Sequence, residues 1–347
     1  PDADKFQVSI DGTTLRLKTG TVLDYETQTS YNITITALGV SKDYQITVVD
    51  GEENEITGQH SSVASSETIT GTAADDFIDY DGGNDTVDGK SGNDILIIDQ
   101  DITSAFEILT VGGITKIKVG SSASVDYRYD NVKMVNVESI KFNDQYIALD
   151  TNLPSNNIIW GTSSSESIND DLTNGDDLID SAGGNDKILD NGGNDTLVIF
   201  SDKSNFEIMT VAGLTKIYGD TSVSGIGYAY YGNIIKTLGI ENIAFIDQTV
   251  TLDNTKPSGT KWIYWNRTSE SETITATDEI DLIDGSGGSD TINGKDGNDT
   301  LAIFSDKANF EIITLAGLTK IYGTNYITGL SSHYWSDTIR LKNVENI

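Results

Sequence analysis

The chain has 347 residues, with 54 Asp and Glu against 22 Lys and Arg, a formal net charge of −32. That balance argues against nucleic acid, whose binders carry a basic patch, and it strains any compact state unless cations offset the repulsion. With no cysteine there are no disulfides and no Cys-ligated zinc or iron. No apolar run is long enough to span a bilayer.

Residues 1–53 carry no repeat. The stretch "LRLKTGTVLDYETQTSYNITITALG", followed by "YQITVVDGEENE", resembles the second half of a cadherin-like domain, part of a β-sandwich. The residues that carry the likeness are Leu23-Asp24-Tyr25-Glu26, an alternating strand over 31–37 and a last strand over 44–49. The resemblance implies that Asp24 and Glu26 are Ca²⁺ ligands, with Asp50 from the linker. A plain β segment with a polar turn at Asp24-Tyr25-Glu26 is the alternative.

From residue 62 a ladder of acids sets in. Glu67, Asp76, Asp85 and Asp94 stand nine residues apart, each followed two positions later by Ile69, Ile78, Val87 or Leu96. A second block has Glu166, Asp177, Asp186 and Asp195, with a first step of 11 and then steps of 9. A third has Glu272, Asp281, Asp290 and Asp299, followed by Ile274, Ile283, Ile292 and Leu301. A nine-residue period with one acid in the turn and one apolar residue just after it suits a Ca²⁺-binding parallel β-roll. Each nonapeptide is a six-residue turn and a three-residue strand whose middle residue alone faces the core. Successive strands build opposite sides of a flattened coil, so turns two apart stack and hold an ion between them. Carboxylates and backbone carbonyls are hard oxygen ligands suited to Ca²⁺.

The stretches "YDGGNDTVDGKSGNDILII", "SAGGNDKILDNGGNDTLVI" and "GSGGSDTINGKDGNDTLAI" resemble the RTX family of hemolysin-type Ca²⁺-binding repeats, over residues 62–97, 161–198 and 267–302. Each block departs from the pattern at its first rung, where Glu replaces Asp in a Ser-rich turn; the turn "ATDEID" has no glycine. The expected pairs are Asp76 with Asp94, Glu67 with Asp85, Asp177 with Asp195 and Asp281 with Asp299. Turn pairing leads to about one well-formed ion per block and a weaker second one. The alternative is a set of solvated acidic turns, since Gly-Asn-Asp runs are ordinary turn chemistry; three phased ladders favour ion binding.

After each ladder the blocks continue alike, as in "LVIFSDKSNFEIMTVAGLTKIYG" and "LAIFSDKANFEIITLAGLTKIYG". The alternation around an Ala-Gly turn predicts a hairpin, expected to cap one end of the roll, whose open edge otherwise invites aggregation. A closing strand pair is expected in "VNVESIKFNDQYIALD" and "LGIENIAFIDQTVTLD", the latter with a turn at Asp247-Gln248 and a last strand over 250–252. Residues 338–347 match the start of that unit, so the chain reads as a fragment. Its start likewise reads as cut, so the lack of a signal peptide there carries little weight.

The expected architecture is all-β: tandem short parallel β-rolls, each capped by an antiparallel β-hairpin, after part of a β-sandwich. The domains fall at 1–53, 54–153, 154–256 and 257–347. His60 and His333 stand in unrelated contexts, so neither a zinc site nor a Ser-His-Asp triad is marked. Trp262, Tyr264 and Trp265, with Tyr334 and Trp335, are either sugar-stacking surfaces or packing at the junction of the second and third modules, and Tyr228, Tyr230 and Tyr231 are either a surface aromatic patch or strand packing. The expected function is that of a non-enzymatic, Ca²⁺-binding, secreted structural repeat of a bacterial cell-surface protein, an adhesin or surface-layer type. Its partners are Ca²⁺ and neighbouring copies or cell-surface polysaccharide. The alternatives are a polysaccharide-binding module of a secreted carbohydrate-active enzyme and the C-terminal RTX region of a secreted hydrolase.

Overall fold

A computed structural model of the chain describes residues 5–8, 15–18, 30–37, 40–47, 54–57, 66–80, 82–123, 127, 129–150, 157–169, 174–190, 192–222, 224–260, 262–265, 270–285, 287–324, 334 and 336–347. The chain divides into two units, Pro1–Leu153 and Pro154–Ile347. Regular structure among the described residues is β-strand with a few short 3₁₀ turns.

In the first unit the ladder strands alternate between two sheets. Thr68–Thr70 pairs in parallel with Thr86–Asp88, and Asn54–Thr57, Asp76–Asp79 and Ile95–Ile98 pair in parallel in the other sheet. The register sets Ile69 against Val87 and Ile78 against Leu96. Apolar residues two nonapeptides apart thus stack in columns, and Ile78, Val87 and Leu96 are fully buried. The strand Thr86–Asp88 buries only its middle residue, as side-chain alternation requires.

The closing segments continue these sheets, which is how the roll is capped. Asn131–Val135 pairs in parallel with Thr86–Asp88 and antiparallel with Ile114–Val119, the second strand of the hairpin begun by Phe106–Val111. Ser139–Phe142 likewise runs parallel to Ile95–Ile98 and antiparallel to Tyr146–Ala148. Met134 and Ile140 take the next places in the apolar columns, opposite Val87 and Leu96. The hairpin therefore joins through an intervening strand, which the sequence pattern did not mark.

The second unit holds two further rolls of the same plan. Asn157–Trp160, Asp177–Asp180, Thr196–Val198, Asn242–Ala244 and Thr249–Thr251 form one five-stranded sheet. Ser167–Ile168, Lys187–Leu189, Ile234–Leu238 and the hairpin Phe206–Val211/Leu214–Gly219 form the other. The third roll repeats this with Thr273–Thr275, Thr291–Asn293, Thr338–Lys342 and the hairpin Phe310–Leu315/Leu318–Gly323, facing a sheet of Trp262–Trp265, Asp281–Asp284 and Thr300–Ala302. In the closing strand Asn242–Ala244, both Ile243 and Ala244 are buried.

Upstream, Phe6–Val8 pairs with Leu15–Leu17, and Ser30–Ala37 forms a hairpin with Val40–Thr47. Phe6, Tyr31 and Ile33 make a small shared core. Asp24, Glu26 and Asp50 lie outside the described residues.

Candidate metal centre

The ladder acids meet as stacked turns. The amide of Asp76 donates to Asp94 Oδ1 at 2.8 Å, that of Asp177 to Asp195 Oδ1 at 2.7 Å, and that of Asp281 to Asp299 Oδ1 at 2.8 Å. On the opposite edge the amides of Glu67, Glu166 and Glu272 donate to Asp85, Asp186 and Asp290, at 2.8, 2.9 and 2.9 Å. A rung thus uses one carboxylate oxygen to fasten the turn beneath it. The second oxygen of Asp94, Asp186, Asp195 and Asp299 is buried with no hydrogen-bond partner. A buried carboxylate oxygen without a donor is costly, and a cation removes that cost.

Glycine lets the turns approach closely enough for backbone oxygens to join. Gly193 has φ +143°, and a Cβ there would lie 2.5 Å from the Gly175 carbonyl oxygen and 3.0 Å from Asp195 Oδ1. Gly92 makes the same approach to Ala74 and Asp94. Carboxylate and carbonyl oxygens converge where a side chain would otherwise sit, a donor set that suits Ca²⁺.

Three acids in the earlier rungs of the ladders differ: Asp76, Glu166 and Asp281. Both oxygens of Asp76 accept from the Thr72 hydroxyl, and Oδ2 also from the Thr72 amide. Thr277 holds Asp281 in the same way, and Thr162 holds Glu166. These acids lock their own turns, and their threonines stand four residues earlier in sequence.

Two features escaped the sequence pattern. The amides of Asp94, Asp195 and Asp299 donate to Glu138, Glu241 and Glu345, at 2.6, 2.7 and 2.8 Å. The Asn/Gly-(Val/Ile)-Glu of each closing segment therefore supplies one more rung; its signal was a near-constant separation of 44–46 residues from the last ladder Asp. In the second roll Asp190 joins Asp177 and Asp195, with one carboxylate oxygen from each within 4.8 Å of the others. The corresponding positions elsewhere are Gly89 and Gly294, where a Cβ would lie 1.9 Å from the carbonyl oxygen of Asn136 or Asn343. In the second roll the partner position is Gly239, φ +91°, and a Cβ there would meet Asp190 Cβ at 2.8 Å. A side chain and a glycine have exchanged places across the contact, adding a third carboxylate to that site.

Burial first of all raises these acids. It pushes Asp85 to about 6 and Asp94 and Asp186 to about 7 against the accepted backbone hydrogen bond. Burial and then neighbouring Asp190 bring Asp195 to about 8. Acids raised in the fold stabilise the ion-free state at low pH, near their ordinary 3.8, and that contribution is lost as pH rises through about 6–8. Ca²⁺ must displace these protons. Calorimetry is expected to show weaker Ca²⁺ binding at pH 6 than at pH 8, with net proton release; equal affinity at both would contradict it. Asp190→Asn is expected to weaken the second roll's site by about tenfold, roughly one charged hydrogen-bond equivalent, leaving the other rolls unchanged in the same titration.

Of the aromatic groups, Tyr230 is buried against Phe206, whereas Tyr228 and Tyr231 are exposed with ring centroids 6.4 Å apart. Tyr228 and Tyr230 lie in a 3₁₀ turn, Gly225–Tyr230, rather than in a strand. The side chains of Trp262, Tyr264 and Trp265, and both histidines, lie outside the described residues.

The RTX calcium-binding nonapeptide repeat family (4 copies) matches residues 63–96, 171–198 and 268–301. These repeats are calcium-binding, and Ca²⁺ is the ion they take. Among solved structures the chain is similar to the extracellular lipase LipA from Serratia marcescens, at 10% identity and a TM-score of 0.20. The match covers 82% of this chain and 38% of the lipase chain, so this chain spans well under half of that protein. No curated protein matches. Among the described residues no helix is long and apolar enough to cross a membrane.

Proposed function

We propose that this chain is a non-catalytic structural repeat segment of a secreted bacterial surface protein, in which Ca²⁺ converts an acidic chain into a stiff array of β-rolls. The observation that carries it is the buried carboxylate oxygen without a donor on Asp94, Asp195 and Asp299, at the same place in three rolls, joined in the second roll by that of Asp186 one rung earlier. Asp94, Asp186, Asp195 and Asp299, with Asp85, Asp290, Asp177 and Asp190, hold the ions together with turn carbonyls. Asp76, Asp281, Glu166, Glu67 and Glu272 shape the turns beneath them. Equivalent sites repeated along a chain suit spacing and rigidity better than a single reaction centre. At the low Ca²⁺ of a cytoplasm, sites of the weak extracellular class, roughly 10⁻⁴–10⁻³ M, stay empty and the chain stays expanded. Outside the cell they fill and the chain folds.

The test is small-angle scattering with Ca²⁺, with Mg²⁺ and with chelator. An unfolded chain of this length has a radius of gyration on the order of 65 Å, and Ca²⁺ alone is expected to reduce it by roughly half. A radius indifferent to Ca²⁺ would remove the basis for this function.

A further inference from the structure

The contact between the second and third rolls is built from a hairpin face and a roll end. Leu214 and Leu238, both buried, join a cluster with Leu282, Ile283 and Phe304 of the third roll, flanked by Met209 and Val211. At its centre Lys216 and Lys236 pair with the fully buried Asp284, at 2.6 and 2.8 Å. The Lys216 ammonium also lies 4.1 Å from the centroid of the Phe304 ring.

The third roll carries the same hairpin in the same register. Leu318 and Lys320 stand opposite Lys342 and Arg340, as Leu214 and Lys216 stand opposite Leu238 and Lys236. There the apolar residues face solvent: Ile313 is 47% exposed, Leu315 77% and Leu318 53%, and they correspond to Met209, Val211 and Leu214. Lys320, Arg340 and Lys342 are exposed around them. Three cations bordering an apolar face form a basic patch on a chain whose net charge is −32.

We propose that this face of the third roll is a docking site for the end of a further roll of the same repeat, one with Asp at the position of Asp284 and Phe at that of Phe304. Lys320 and Arg340 are placed to receive the aspartate as Lys216 and Lys236 receive Asp284, while Leu315 and Leu318 cover apolar surface as Val211 and Leu214 do. The third cation, Lys342 in place of Leu238, adds attraction for an acidic roll end. A second copy of the chain is the poorer occupant: its first roll has Asp79 and Asp99 at the two positions, so the aromatic ring is missing.

The repeat phase supplies the experiment. The last residues, 345–347, repeat 241–243, so appending residues 244–347 after Ile347 extends the chain by one period. Leu315→Cys provides the only thiol in a chain without cysteine. In Ca²⁺ the thiol of the unextended chain is expected to react with maleimide at the rate of a free thiol. In the extended chain it is expected to slow by at least about tenfold, because modification then needs local opening. Asp284→Ala in the added copy alone is expected to return most of the rate. Ca²⁺ uptake by the added copy is measured separately, so failure of ion binding is told apart from failure of docking. An added copy that leaves the thiol at full reactivity, or that fails to fold when placed in phase, overturns the proposal. So does an unextended chain whose thiol becomes protected with rising concentration as its mass doubles, since the occupant is then a second copy.

Discussion

Asp284→Ala is expected to destabilise the second and third rolls by about 3–5 kcal/mol, because it leaves two ammonium groups buried without a counterion. Lys216 is fully enclosed; burial pulls its pKa down to about 8 even against the pull of Asp284. Burial also works against the Asp284 charge, but the two lysines outweigh it and hold the carboxyl below its ordinary range. The group is thus a compensated triad whose members cannot be removed singly. A Lys216→Met, Lys236→Met, Asp284→Leu triple variant, apolar and of similar volume, is expected to regain most of that loss or to exceed wild type, as seen when buried ion networks are replaced whole. Urea unfolding of the three proteins in Ca²⁺ provides the measurement. A single variant within about 0.5 kcal/mol of wild type, the usual range for surface substitutions, would show that the junction is wet and the triad screened.

Withdrawal of Ca²⁺ is expected to have the larger effect on the chain as a whole. Each site at tenfold saturation contributes about 1.4 kcal/mol by mass action. Three to six such sites contribute roughly 4–8 kcal/mol, comparable with the net stability of an ordinary domain. Without the ions the inward oxygens of Asp94, Asp186, Asp195 and Asp299 stay buried and unpaired, and the charge of −32 is uncompensated. Circular dichroism in chelator is expected to lose most of the β signal, to regain it cooperatively with Ca²⁺ and not with Mg²⁺, which demands tighter octahedral geometry than these turns offer. A chain already folded in chelator would reduce the ladders to plain turns.

The two effects separate by location. The ion sites act within each roll, so their loss melts every roll. The triad acts between two rolls, so its loss spares the first. Hydrogen exchange on the Asp284→Ala protein would therefore concentrate the change on Leu214–Gly219, Ile234–Leu238 and Asp281–Asp284.

What repeats every nine residues was legible along the chain alone. Nine-residue spacing set the β-roll, and the residue two after each acid became the column in which Ile78 stacks on Leu96 and Ile179 on Leu197. The pairing of Asp76 with Asp94 and of Asp177 with Asp195 was legible for the same reason: a strand alternates its side chains and a coil of two nonapeptides returns after 18 residues. The hairpins followed from local alternation and a turn. What the tertiary structure decided lies off that period. Glu138 reaches Asp94 across 44 residues, and Asp284 meets Lys236 across 48; no local preference fixes where a hairpin docks or which buried charge it meets. The exchange of Gly89 and Asn136 for Asp190 and Gly239 is likewise invisible along the chain, because each residue is acceptable in its own turn. Only the approach of two backbones to within a Cβ radius makes one of them require glycine, and only that approach brings Asp190 to the acids of the second roll.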